Sequence, residues 1–79
     1  DQKILNKAYK ESRTSNESKL YRVLHTYKNL YLRSQIYQDR KLKKLSLEGI
    51  IKVGSKLNED INVYRKEYKK FNIQKNKQV

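Results

Sequence analysis

Between Leu47 and Phe71 the apolar residues repeat at helical spacing. Leu47, Ile50, Gly54, Leu57, Ile61, Tyr64, Tyr68 and Phe71 follow one another at intervals of three and four. A run of this kind lies on one stripe of an α-helix but scatters over both faces of a strand. A second run, Leu20, Val23, Tyr27, Leu30, Ser34 and Tyr37, has the same spacing, flanked by Leu24 and Tyr31. A helix with one apolar stripe must bury it against another element, and each of these runs supplies what the other needs. The chain holds two Gly and no Pro, too few breakers for the turns of a small sheet protein. The fold class is therefore all-α.

Local signals place the helix ends. Thr14 and Glu17 have the spacing of a capping box, which predicts a helix from about residue 15. The stretch RKLKKLS brings four basic residues in five (Arg40, Lys41, Lys43, Lys44), and basic residues suit a helix C-terminus. Ser46 then reads as the N-cap of the next helix. Leu45 and Ile50 have the spacing of a hydrophobic staple, and Glu48 sits in the first turn, where the dipole favours an acid. These signals predict helices over 15–40 and 46–73 with a break near 42–46. That break contains neither Gly nor Pro, so one uninterrupted helix is the competing reading.

Two helices of matched length with a short connection form an antiparallel hairpin of coiled-coil type. Its seam brings Leu20, Val23, Tyr27, Leu30 and Tyr37 against Leu47, Ile50, Gly54, Leu57, Ile61, Tyr64 and Tyr68. Gly54 costs about 1 kcal/mol of helix propensity relative to Ala. In this reading it lets the ring of Tyr27 or Tyr31 approach the backbone. In residues 1–13, Ile4, Leu5, Ala8 and Tyr9 fall on one face, as in a short helix that holds only when docked. Residues 74–79 read as a flexible basic tail. A second ridge, Tyr21, Leu32 and Ile36, makes the helix over 15–40 wider in apolar surface than one neighbour covers. That ridge is the expected partner face. A chain of 79 residues with no Cys and one His has a small core and no disulfide, thiolate or imidazole metal site to reinforce it. Completion by a helical partner or by self-association is expected.

The net charge is +12, from 20 Lys and Arg against 8 Asp and Glu. Such an excess repels itself and favours a polyanion: nucleic acid, an anionic membrane surface or an acidic protein. Codon bias toward Lys, Asn, Ile and Tyr is the competing source of the charge. Two clusters concentrate it, Arg40, Lys41, Lys43 and Lys44 at the connection and Arg65, Lys66, Lys69 and Lys70 late in the second helix. Like charges four apart each cost a few tenths of a kcal/mol in a helix, which phosphates or carboxylates would relieve. In a two-helix hairpin these clusters lie at opposite ends, as two patches. Tyr64, Tyr68 and Phe71 could stack on bases, but their seam spacing assigns them to the core.

No apolar run approaches the roughly 18 residues of a spanning helix. His25 is a lone imidazole off the seam. Glu59 and Asp60 are adjacent and splay apart. No phosphate loop or nucleophile elbow is present, and no cofactor is implied. The expectation is a non-catalytic basic interaction module, intracellular, that binds another helical subunit and an acidic or nucleic-acid partner. Direct nucleic-acid binding is the alternative.

From Leu32 to Lys66 the sequence also resembles the sporulation-type aspartyl-phosphate phosphatases of bacilli. Leu32, Arg33 and Ile36 match that family's first helix, and Leu45, Ile50, Ile51, Leu57, Ile61, Asn62 and Tyr64 its second. The resemblance implies a two-helix hairpin acting on a response regulator. The family's Ser-Gln-Glu-Leu-Asp signature falls on Gly54, Ser55, Lys56, Leu57 and Asn58, with both the Ser and the Asp replaced.

Overall fold

The computed structural model describes residues 2–77, with side chains described as far as Phe71. Among the described residues the chain is all-α: α1 (Gln2–Glu11), α2 (Glu17–Ile36), α3 (Arg40–Lys56) and α4 (Asn62–Lys77). The molecule measures 40 × 25 × 20 Å. α2 and α3 form the antiparallel hairpin, with Lys43 Nζ 5.9 Å from the Tyr31 ring near the connection and Tyr27 packed on Gly49 further along. α1 lies on α2, with the Tyr9 ring 5.3 Å from Lys52 Nζ of α3, so α2 sits between two neighbours. α4 doubles back along α3: Arg65 Nη2 donates to Ser55 Oγ at 3.2 Å and, one turn on, Tyr68 Oη donates to Glu48 Oε1 at 2.9 Å.

The first break falls at 37–39, not at 42–46. α2 ends in a Schellman-type turn, with Gln38 in the left-handed region (φ 53°) and the Asp39 N–H donating to the Ser34 carbonyl at 2.9 Å. Asp39 then caps α3, its carboxylate accepting from the Leu42 N–H at 3.0 Å. Asp caps a helix better than Ser46 could from within a continuing turn. Ser46 is instead fully buried, its hydroxyl bonded to the Lys43 carbonyl at 3.0 Å. The basic residues expected at a helix C-terminus therefore begin α3. The N-cap of α2 is Asn16 rather than Thr14: Asn16 Oδ1 accepts from the Lys19 N–H at 3.2 Å, and Thr14 Oγ1 accepts from the Asn16 N–H ahead of it.

The helix expected over 46–73 is two helices. α3 stops in a second Schellman-type turn. Asn58 is left-handed (φ 57°), the Glu59 N–H donates to the Gly54 carbonyl at 2.9 Å, and the Asn58 N–H donates to the Ser55 carbonyl at 3.3 Å. Asp60 Oδ1 accepts from the Asn62 N–H at 3.2 Å as α4 begins. The tail expected over 74–79 begins inside α4, and Gln78 and Val79 lie outside the described residues.

Leu20, Val23, Leu24, Tyr27, Leu30, Tyr31, Leu42, Leu47, Ile50, Val53 and Ile61 are buried, with Ala8 added from α1. Leu57, Tyr64, Tyr68 and Phe71 are half-buried around them. Two seam assignments change. Tyr37 stands at the C-cap of α2, 73% exposed, because the helix stops before its register can aim it inward. The glycine under an aromatic ring is Gly49, beneath Tyr27; Gly54 lies beneath Ile61.

Candidate nucleic-acid interface

The reversal at 57–61 determines what the basic residues can do together. Because α4 returns along α3, its residues 66–71 come back toward the start of α3. Arg40 and Lys43 from α3, Lys70, Phe71 and Glu67 from α4, Ser34 and Gln35 from the end of α2, and Gln38 and the N-cap Asp39 between α2 and α3 line one open cleft of about 480 Å³. The two clusters expected at opposite ends thus meet at one end of the molecule. Arg65 is the exception. It sits at the start of α4, near the 57–61 turn, bonded to Ser55.

Packing orders the cleft. The Arg40 guanidinium lies 5.4 Å from the centre of the Phe71 ring, and Lys43 Nζ lies 6.0 Å from it. Cation–π contacts of this kind contribute about 0.5–1 kcal/mol at exposed sites. Glu67 stands between the two strands of positive charge. Its Oε1 accepts from Lys70 Nζ at 3.1 Å, and its Oε2 is 3.8 Å from Lys43 Nζ. Lys43 and Lys44 are half-buried; Lys41, Lys66, Lys69 and Lys70 are exposed. Burial pushes the Tyr31 phenol above its ordinary value, the negative charge of Glu67 adds to this, and a hydrogen bond with Gln35 opposes it.

The aromatic residues of α4 face inward. Tyr64 meets Tyr31 edge to face at 5.7 Å, Tyr68 is bonded to Glu48, and Phe71 is covered by Arg40 and Lys43. The rings that the sequence offered for stacking on bases support the basic end from beneath. Outward, this end presents the ammonium groups of Lys41, Lys69 and Lys70 beside the exposed Arg40 and Asp39, and ammonium groups suit phosphate oxygens as point charges.

The opposite end differs in charge. The connectors at 12–16 and 57–61 meet there, tied by Lys56 Nζ donating to the Ser12 carbonyl at 2.9 Å. Glu11, Glu17, Glu59 and Asp60 lie in or beside these connectors. Half of the chain's 8 acids are thus at one end, where they offset Lys10, Arg13, Lys19, Lys56 and Arg65, while at the other end Asp39 and Glu67 stand against Arg40, Lys41, Lys43, Lys44, Lys69 and Lys70.

The remaining candidates separate. His25 is exposed on α2. Tyr21, Leu32 and Ile36 are 48%, 55% and 74% exposed, but only Leu32 and Ile36 share a groove, and they share it with Ile4 rather than Tyr21. Glu59 and Asp60 are in the 57–61 turn, and Gly54–Asn58, aligned with the phosphatase signature, form the end of α3 and its cap. Glu67 was missed by sequence reasoning. An acid inside the run RKEYKK reads as a solvated neighbour until the fold places Lys43 beside it.

Among the described residues, no three His, Cys, Asp or Glu side chains gather where they could hold a metal ion, and no helix is long and apolar enough to cross a membrane. No protein-family model, no curated protein and no solved structure matches the chain.

Proposed function

We propose that this chain is a non-catalytic interaction module that binds nucleic acid through its basic end, by contacts to phosphates rather than to bases. One observation carries this reading: Lys70 and Phe71 of α4 share a cleft with Arg40 and Lys43 of α3, so two clusters far apart in sequence act as one surface. Lys41, Lys44, Lys66 and Lys69 extend it. The cationic excess is greater at this end than at the far end, where acids offset the Lys and Arg, so a polyanion is attracted to it more strongly. The inward-facing rings support backbone recognition, which is indifferent to sequence. An acidic protein is the competing partner for the same end.

The test is the affinity for a short DNA duplex over a range of salt. Binding to phosphates predicts that log K falls linearly with log salt, by about 0.9 for each phosphate neutralised on duplex DNA. Lys41→Glu and Lys70→Glu should each weaken binding, while Lys19→Glu, the same change in charge at the far end, should leave it nearly unchanged. Glu67→Gln should strengthen binding and steepen the slope, because it releases Lys43 and Lys70. An affinity that ignores salt, or equal losses at Lys19 and Lys70, would rule the reading out.

A further inference from the structure

A second surface lies on the other side of α2, away from the basic end's cleft. Ten-residue α1 is about 15 Å long and twenty-residue α2 about 30 Å. α1 covers only the first part of α2, and Ile4, in its first turn, reaches Leu30 and Arg33. Beyond that point a groove of about 350 Å³ continues along α2, lined by Ile4, Asn29, Leu32, Arg33 and Ile36. Leu32 and Ile36 are one helical turn apart and 55% and 74% exposed. Apolar side chains at this spacing form a ridge that fits the groove of another helix.

Charge selects the occupant. Between Glu17 and Asp39 the sequence contains no acidic residue, so α2 presents no negative charge along its length after the first turn. Lys7 and Arg22 line the next stretch of the α1–α2 trough, with Glu11 as the one acid beside them. A second copy of this chain would bring another +12 to the same face, and nucleic acid has nothing to place on Leu32 and Ile36. We infer that this groove receives an acidic amphipathic helix of a partner protein, which extends the layer that α1 begins. Its apolar stripe would bury Ile4, Leu32 and Ile36, and its flanking carboxylates would face Lys7 and Arg22. The module would then join a helical protein to a nucleic acid through separate faces.

The probe is a synthetic helical peptide with leucines at three- and four-residue spacing and glutamates elsewhere, compared with a scramble of identical composition. The amphipathic peptide should bind about tenfold or more tighter than the scramble and move the amide resonances of Ile4, Leu32 and Ile36. The double variant Leu32→Ser, Ile36→Ser should lose that preference while keeping its helicity and its affinity for duplex DNA, because both side chains are exposed. Three results would overturn the inference: equal binding of peptide and scramble, a preference that survives the double variant, or a concentration-dependent doubling of mass that the double variant abolishes. The last would assign the face to a second copy.

Discussion

The ring of Tyr27 rests directly on Gly49: a methyl group built on that glycine would stand 2.3 Å from Tyr27 Cε1. Carbon atoms in contact sit about 3.5–4.0 Å apart, so the two positions specify each other. Tyr27 is 4% exposed, and its ring can leave Gly49 only by giving up core packing for the open cleft of about 320 Å³ that both residues line. Gly49→Ala gains up to about 1 kcal/mol of helix propensity and incurs overpacking of about 1–3 kcal/mol. The expected outcome is a net loss near 1–2 kcal/mol, read as a lower denaturant midpoint with unchanged slope. A neutral or stabilising Gly49→Ala would contradict this packing.

Gln38 holds a backbone conformation that suits it poorly. At φ 53° an L-residue carries a cost of about 1–2 kcal/mol that glycine escapes. Part of this is offset by the greater freedom glycine has in the unfolded chain. Gln38→Gly should stabilise the protein by about 1 kcal/mol. Asn58→Gly should stabilise it less, since Asn tolerates this region. Thermal melts of the two variants decide the matter, and the reverse order would count against the two turns as described.

Ile61 fixes the return of α4. It is 4% exposed and packs its Cγ2 on Gly54. Ile61→Ala should cost about 2–5 kcal/mol, as for other buried Ile-to-Ala changes. It should also speed amide hydrogen exchange in residues 62–71 ahead of α2, because the loss is local to the turn. Duplex affinity should fall although no charge has been removed, since Lys70 then loses its place beside Lys43. Full affinity in a variant with a loosened α4 would separate the two clusters functionally.

Four tyrosines should titrate away from the ordinary phenol, one earlier and three later. A hydrogen bond from Arg13, and then the charges of Arg13 and Lys52, hold the Tyr9 phenol below its ordinary value of 10.0. Burial raises Tyr27 and Tyr31, and the hydrogen bond to Glu48 raises Tyr68. The raised groups hold their protons more tightly folded than unfolded. Their contribution to stability is full below pH 10 and is lost as pH rises through their folded values. Tyr9 acts in the opposite sense: its contribution is present above pH 10 and is lost as pH falls through its lowered value. In an alkaline titration of tyrosinate absorbance, Tyr9→Phe should delete the earliest rise and leave stability at neutral pH nearly unchanged. Persistence of that early rise would assign it to another phenol.

Much of the core was legible in the chain. Leu20, Val23, Tyr27, Leu30, Leu47, Ile50 and Ile61 are buried where the spacing placed them, because one apolar stripe needs only the helical period to define it. The cleft was not legible, since it depends on where the helices stop. Neither turn announces itself. The left-handed residues are Gln38 and Asn58 rather than glycine, and the series Gly54, Leu57, Ile61, Tyr64 runs through the second turn without losing its spacing.

The sequence by itself determined that the chain is helical and which of its faces avoid water. Only the tertiary structure decided that there are four helices, and that the two basic clusters, Arg65 apart, meet at one end. The reason is a mismatch of lengths. A straight helix from Arg40 to Lys77 would be about 55 Å long at about 1.5 Å per residue, against about 30 Å for α2. Its last turns would carry Tyr64, Tyr68 and Phe71 past the end of α2 into water. Reversing at 57–61 buries those rings against Tyr31 and α3, and the same reversal carries Lys70 back to Lys43.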